Sequence, residues 1–396
     1  MSRKANLIVL AFSLVLAVSL TAAMVWHHAS ADPDGPVKQM GVMVEVYQHI
    51  NDDYVSTPNL AKVSDGALHG LLESLDADSS YMDPAQFQAY EADERNPPSG
   101  GVEAVFSKRQ GYADVVDVRA GGNAAQAGLV RGDFIEAIGD AGTRDLSLQE
   151  IRQRLQGAPG TSVTLSVVHM HASDPVKVTI TRASASQAAL ALSRQGGVGI
   201  IAVPDFDPGR AAQVAAAVKS LKGEGAREFI LDLRNCGAGE YGQAEQTANL
   251  FLSQGTITYL QGQKYPRVTT SADPTRMVDG SDPLAVLINF GTYGPAEVAA
   301  AALQQNGRAQ VIGDPTFGEG SLQKLIEVGD GSALWLSVAR YYSPKGKLIQ
   351  EGITPDVAQV QYAGALPDAD YPPLGVSPNQ PDLQMQKALA LLASRG

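Results

Sequence analysis

Cysteine and histidine are scarce in this 396-residue sequence, which has one cysteine, Cys236, and six histidines. A single cysteine excludes an intramolecular disulfide and a cysteine-based metal cluster. The histidines stand at positions 27, 28, 49, 69, 169 and 171, so the whole chain beyond residue 185 has none. No carboxylate cluster at ligand spacing takes their place there. The sequence therefore predicts no metal site and no cofactor.

Basic residues are also few: 30 Lys and Arg stand against 42 Asp and Glu, for a net charge of −12. Nucleic-acid binding relies on clustered basic side chains, so this balance excludes a nucleic-acid partner. Apolar residues make up 44% of the chain and charged residues 18%, which is typical of a folded globular protein. The length exceeds what one ordinary core needs and predicts two or three domains.

The amino-terminal stretch 1–31 has the features of an export signal. Arg3 and Lys4 precede an apolar run over residues 7–26, which is long enough to span a bilayer as a helix. An Ala-Ser-Ala sequence just before Asp32 also offers a cleavage site. Three alternatives stay open: a cleaved signal peptide, a signal anchor in the inner membrane, and a buried helix of the folded domain. With either form of export, the rest of the chain should lie in an extracytoplasmic space, the periplasm or cell envelope.

The patterns that follow change character three times along the chain. Residues 36–95 have helical spacing of apolar residues, and 99–184 have short apolar runs between turn signals, typical of a β-rich module. Residues 185–362 alternate apolar strands with amphipathic helices, which predicts parallel pairing. Residues 363–396 form a tail rich in Pro and Asp that ends in a short helix. The predicted fold class is a multidomain α+β protein.

The β-rich module carries the stretch AAQAGLVRGDFIEAIGD, from Ala124 to Asp140, which closely resembles the PDZ modules of exported proteases. The resemblance implies that a peptide adds as a strand to a sheet edge while backbone N–H groups hold its terminal carboxylate. The cradle would lie at Gly100, Gly101 and Val102. Relatives usually have a glycine where this chain has Glu103, whose charge would oppose an incoming carboxylate unless it points away.

Three apolar residues of the module's short helix share one face beside that groove. Leu148, Ile151 and Leu155 stand at i, i+3 and i+7 and are candidate peptide contacts. Plain core packing is the alternative for Ile151 and Leu155.

Four stretches resemble the tail-specific, or C-terminal processing, serine peptidases, and the resemblance covers most of the chain from about residue 40 onward. They are LESLDADSSYMDP, ILDLRNCGAGEYGQA, PTFGEGSLQ and YYSPKGKLIQEGITPD. The order of export signal, helical segment, PDZ module and α/β domain is also that of the family. The resemblance implies a ClpP/crotonase-like α/β core over residues 185–362.

The family uses a serine nucleophile and a lysine general base, and the matching positions here hold neither. The serine motif Thr-(Phe or Tyr)-Ser-x-Ala-Glu has Gly294 at its serine, and Glu319 occupies the lysine position. Gln323, which in the family helps to orient the lysine, is retained. The turn implied to form the oxyanion hole has Ala238 and Gly239 where the family has two glycines.

Other side chains offer substitutes for the missing groups. Thr292 lies two residues before Gly294 and is the fallback nucleophile, with capping of the helix near Pro295 as the alternative. Ser321 is more typical of an ordinary polar strand residue. Glu319 as a base that activates water directly has no second acid to assist it in the sequence pattern.

These observations favour a pseudopeptidase that binds polypeptide C-termini or exported proteins through its PDZ module, as an adaptor, scaffold or regulator. An active paralogous peptidase is one candidate partner, and the membrane is another through residues 7–26. An active peptidase with a relocated nucleophile and a structural envelope protein remain as alternatives.

Overall fold

The computed structural model describes residues 36–109, 111–170, 172–184, 187–361 and 381–394. The described residues up to Ala67 form one compact unit, and the described residues from Leu68 onward form another. The predicted export segment and most of the Pro- and Asp-rich tail fall outside the described residues.

The first unit contains helix α1 (Pro36–Asp53) and the start of helix α2 (Leu60–Glu73). Within it, the Tyr47 hydroxyl donates to the Leu60 carbonyl oxygen at 3.2 Å and accepts from Ser64 Oγ at 3.2 Å. Among the described helices, none combines the length and the apolar character that crossing a membrane requires.

A short strand interrupts the region that the sequence predicts to be helical. Strand β1 (Ser80–Met82) is wholly buried and is followed by helix α3 (Pro84–Arg95). The helical expectation is wrong for these three residues, because they pair with residues 333–335 far along the chain. Asp83 begins α3 with a capping box, in which its side chain accepts from Gln86 N and the Gln86 side chain accepts from Asp83 N.

The β-rich module is built on a sheet in the order β3-β4-β5-β7-β8, with β6 paired to β5, and β2 pairs with β9 beside it. Its strands are β2 (Gly100–Gly101), β3 (Ala104–Arg109), β4 (Tyr112–Val118), β5 (Phe134–Ile138), β6 (Ala141–Gly142), β7 (Ser162–Val168), β8 (Val176–Thr181) and β9 (Ala183–Ser184). Its helices are α4 (Asn123–Gln126) and α5 (Leu148–Leu155). Alternate residues of β7 are buried, as the period of two requires for a sheet with one covered face.

The larger α/β domain has a six-stranded sheet in the order β10-β11-β12-β15-β16-β19, parallel from β11 onward. Its strands are β10 (Ala191–Gln195), β11 (Val198–Ala202), β12 (Glu228–Asp232), β15 (Leu284–Ile288), β16 (Gln310–Gly313) and β19 (Val357–Ala358). The helices are α6 (Arg210–Gly223), α7 (Tyr241–Asn249), α8 (Pro295–Gln305) and α9 (Leu383–Ala393).

A second sheet of the domain has the order β1-β18-β13-β14, with β17 paired to β18. These strands are β13 (Thr256–Gln261), β14 (Val268–Ser271), β17 (Ser321–Glu327) and β18 (Ala333–Tyr342). Helix α8 is buried along nearly its whole length, which its alanine-rich sequence permits because small side chains allow close packing. The predicted fold class, with helices, a β-rich module and an α/β core, is confirmed.

Candidate functional site

Gly294 forms the N-cap of helix α8 and has φ +56° and ψ −111°. Residues other than glycine rarely adopt this conformation and store strain when they do. A Cβ atom placed on Gly294 would have the Tyr241 hydroxyl as its nearest neighbour, at 3.4 Å. The site therefore has room for a side chain at the position where the resemblance implies a nucleophile, but it holds none.

The Glu297 carboxylate braces the start of α8 against the loop before β17. It accepts hydrogen bonds from Gly294 N at 2.9 Å, Gly318 N at 2.8 Å and Glu319 N at 2.8 Å, and a fourth from the Thr316 hydroxyl. Burial raises the pKa of Glu297 to about 7, and these donors oppose the rise. Through these hydrogen bonds, Glu297 fixes the backbone at positions 294 and 319 relative to each other.

At the lysine position, the Glu319 carboxyl group forms a hydrogen bond with a nearby residue at the start of strand β17. Ser321 Oγ donates to Glu319 Oε1 at 2.5 Å, and Gln323 Nε2 donates to Ser321 Oγ at 2.7 Å. Burial raises the pKa of Glu319 to about 8, with the negative charge of Asp78 as the second cause. The retained Gln323 thus orients a serine next to a carboxyl group that is mostly protonated at pH 7, and position 319 supplies no amine base.

Asp78 is the functional neighbour that the sequence reasoning missed. Its Oδ2 lies 3.5 Å from Ser321 Oγ, although 243 positions separate the two residues. The expectation that Glu319 has no second acid is therefore wrong. Asp78 belongs to the LESLDADSSYMDP stretch, so the family resemblance was the one available signal for it.

The Thr292 hydroxyl is fully buried and is already engaged on both sides. Its Oγ1 donates to the Leu233 carbonyl oxygen at 2.8 Å and accepts from Asn289 N at 3.0 Å. The expectation that Thr292 caps helix α8 is wrong, because Gly294 is the N-cap and the hydroxyl instead joins two loops. These contacts also leave Thr292 poorly placed to attack a substrate.

The turn that resembles an oxyanion hole packs closely against the segment before α6. Phe206 N donates to the Ala238 carbonyl oxygen at 2.8 Å. Gly239 has φ +108°, and a Cβ atom there would lie 2.2 Å from the backbone carbon of Phe206, so only glycine fits. Cys236 is fully buried, and burial raises the pKa of its thiol well above the usual value, which opposes thiolate formation.

A cavity of about 850 Å³ brings the predicted peptide cradle and this turn together. Gly100, Gly101, Val102 and Leu155 line it from the PDZ side, and Ala238 lines it from the α/β domain. Leu148 and Ile151 do not line this cavity. They are 1% and 0% exposed and belong to the apolar core of the module, with Leu155 at 3%.

The charge of Glu103 is neutralised next to the cradle. Its Oε1 lies 2.6 Å from Arg119 Nη1, and its Oε2 accepts from Asn123 N at 3.0 Å. Arg119 Nη2 also lies 3.5 Å from Asp205 Oδ2 in the α/β domain. The Glu103 side chain is therefore fixed toward the start of α4, while its own N–H donates to Asn123 Oδ1 at 2.8 Å.

The fold and the geometry of this site define a peptidase-like protein with a PDZ module. The family model for peptidase family S41 matches residues 197–359, and that for the PDZ domain matches residues 115–168. A carboxy-terminal-processing protease of Bartonella bacilliformis is 30% identical over 329 residues, which cover 82% of this chain and 76% of the relative. A carboxyl-terminal-processing protease of Synechocystis is 32% identical over 334 residues, with the same coverage of both chains. This chain belongs to peptidase family S41, together with the carboxy-terminal processing proteases.

Among solved structures, the photosystem II D1 C-terminal processing protease superposes with a TM-score of 0.67 at 24% sequence identity. The match covers 80% of this chain and 92% of that protein. At this identity the likeness establishes the shared fold.

Proposed function

We propose that this protein is a catalytically inactive member of peptidase family S41 that binds polypeptide C-termini through its PDZ domain, as an adaptor, scaffold or regulator. The observation that carries the proposal is Gly294. This residue stands at the family's nucleophile position at the start of helix α8 and has an unusual backbone conformation, but it supplies no oxygen or sulfur atom. Acyl transfer requires such an atom to bond the carbonyl carbon.

The base position supports the same conclusion by a second physical argument. A lysine base works because a dry site lowers its pKa and leaves a neutral amine. The same dry surroundings raise the pKa of Glu319 to about 8, so that its carboxyl group is mostly protonated at neutral pH and accepts protons poorly. Thr292 offers no remedy, since its hydroxyl already serves two backbone groups.

The residues proposed to bind a polypeptide tail match the family pattern better than the residues at the catalytic positions do. The cavity joins the cradle at Gly100–Val102 to the turn at Ala238, and Arg119 offsets the negative charge of Glu103 that would repel a terminal carboxylate. A polypeptide tail that binds by strand addition could therefore reach the turn at Ala238, which resembles an oxyanion hole.

The site of action belongs to the proposal as well. The segment 7–26 has the composition of an export signal or anchor, so we place the protein in the periplasm or cell envelope, with exported proteins or an active paralogous peptidase as partners.

A cleavage assay tests the proposal. The full-length protein, purified in detergent, is incubated with an unfolded substrate that has a free apolar C-terminus, and the products are read by mass spectrometry. We expect no products. A Gly294→Ser plus Glu319→Lys double variant serves as the matched gain-of-function control, and cleavage by it would show that the cleft still admits tails. Products from the unaltered protein that disappear in Thr292→Ala would instead establish a threonine-dependent peptidase.

A further inference from the structure

The PDZ groove has two walls, strand β3 and helix α5, which run in opposite directions. Strand β3 is the end strand of its sheet, so its outer edge is the one that an added strand would use. At the cradle end, a Cβ atom on Gly101 would lie 3.8 Å from the Leu155 carbonyl oxygen at the end of α5. At the far end, Lys108 Nζ donates to the Leu146 carbonyl oxygen at 2.7 Å, just before α5 begins.

The chain's own residues 73–78 contact both walls of this groove. Glu73 Oε1 accepts from Lys108 Nζ of β3 at 2.5 Å, and Asp78 Oδ1 lies 3.3 Å from Arg152 Nη2 of α5. Between these two acids, Ala77 packs against the apolar core of the module. Residues 73–78 thus contact strand β3 and helix α5 through two acids, with a small apolar residue against the core of the module between them.

Two basic side chains of the groove, Lys108 and Arg152, are therefore paired with carboxylates from outside the module. The Lys108 side chain is only 7% exposed, so its charge requires a partner at short range. The Arg152 side chain, 42% exposed, also lines the cavity that holds the cradle, which places it where a tail would pass. A ligand that displaces residues 73–78 has to replace two carboxylates.

We propose that residues 73–78 are an internal competitor for the PDZ groove, and that the groove takes polypeptide tails with acidic residues upstream of an apolar terminus. The terminal side chain lies near Leu155, and the upstream carboxylates replace Asp78 on Arg152 and Glu73 on Lys108. At about 3.3 Å per residue, the stretch from Ala104 to Lys108 holds roughly four residues of an added strand. This inference rests on the proposed tail-binding function and names the class of its ligand.

Fluorescence anisotropy with labelled tail peptides tests the inference on the full-length protein in detergent. Three peptides share an apolar C-terminal residue and carry glutamate, serine or lysine at the third and fifth positions from the end. We expect the glutamate peptide to bind at least five-fold more tightly than the serine peptide, and the lysine peptide to bind most weakly. The difference should largely persist at high salt, because the Lys108 side chain is only 7% exposed and salt screens buried pairs much less than exposed ones.

Variants separate the competitor from the receptor. Glu73→Ala, alone and with Asp78→Asn, should raise the affinity for the glutamate peptide about five-fold, whereas Lys108→Ala plus Arg152→Ala should abolish the preference for acid. Glu91→Ala, an exposed acid on α3, is the matched control and should change nothing. Circular dichroism melting of each variant checks the fold, and the single Glu73→Ala change leaves the surroundings of Glu319 intact.

The outcomes distinguish this inference from the function on which it rests. Equal binding of the glutamate and lysine peptides, or no gain in the Glu73 variants, would overturn the inference and leave tail binding standing. Binding of the glutamate peptide that is stronger in the Glu73→Ala plus Asp78→Asn variant than in the unaltered protein would directly support competition by residues 73–78. If no peptide binds either the unaltered protein or the Glu73→Ala plus Asp78→Asn variant, the tail-binding function and the inference are both overturned.

Discussion

The carboxyl group at the lysine position makes the stability of the α/β domain depend on pH in a predictable direction. Burial and Asp78 raise the pKa of Glu319 from 4.5 to about 8 in the folded protein. The folded state therefore holds this proton more tightly than the unfolded chain does. The contribution to stability is fully present below pH 4.5, falls as the pH rises, and is lost above about pH 8.

The size of this effect follows from the shift. One pKa unit corresponds to about 1.4 kcal/mol, so the rise in the pKa of Glu319 sets an upper limit of about 5 kcal/mol on the loss between pH 4.5 and 8. Relaxation of the loop and entry of water lower the actual figure. The free energy of unfolding of a typical protein is about 5 to 15 kcal/mol, so a loss of even half that limit is easily measured.

The assay is urea unfolding at pH 5, 7 and 9, with Glu319→Gln as the comparison. Glutamine keeps an oxygen that accepts from Ser321 but cannot lose a proton, so the variant should lose less stability as the pH rises. The buried carboxyl of Asp117, whose pKa burial raises to about 7, titrates in both proteins and cancels in the difference. The charge of Glu297 is itself one cause of the raised pKa of Glu319, so the difference reports Glu319 together with its coupling to Glu297. Parallel pH profiles for the two proteins would refute the reasoning.

Substitutions at three positions have further defined outcomes. Gly294→Ser should lower the free energy of unfolding by about 1–3 kcal/mol, because φ is +56° there, and Gly294→Ala should match it if strain is the cause; urea titration measures both. Thr292→Val should cost about 1–3 kcal/mol, because the buried carbonyl of Leu233 and the part-buried N–H of Asn289 lose their partner. A loss below about 0.5 kcal/mol on thermal melting would contradict this. Gly239→Ala should prevent native packing of the turn, since its Cβ atom would lie 2.2 Å from the backbone of Phe206, and an unchanged melting temperature would count against that contact.

Local patterns predicted much of the secondary structure. Strands β4 and β7 have the bounds that their apolar runs indicate, and α5 follows a serine cap with Glu150 three positions later. Pro295 begins α8, as proline favours. These features depend on neighbours within one turn or one strand, so the order of residues along the chain is sufficient to predict them.

Contacts between distant segments were beyond the same reasoning. Strand β1 exists because residues 80–82 pair with β18, and no local period encodes that pairing. Whether Glu103 opposes a tail depended on its rotamer and on Arg119, which are set by packing. The neighbourhood of Asp78 and Glu319 arises in the same way, from loops that meet only in the folded domain.

The sequence by itself determined which atoms the site lacks, because the residue at each motif position is a matter of chemical identity: Gly294 has no nucleophile and Glu319 has no amine. Only the tertiary structure decided what the remaining groups do. In the folded protein, the Thr292 hydroxyl forms hydrogen bonds with two backbone groups and Asp78 lies close to Glu319. Residues 73–78 also contact the PDZ groove. The physical reason is that hydrogen bonds and pKa shifts depend on distance and burial, which arise only when segments far apart in the chain pack together.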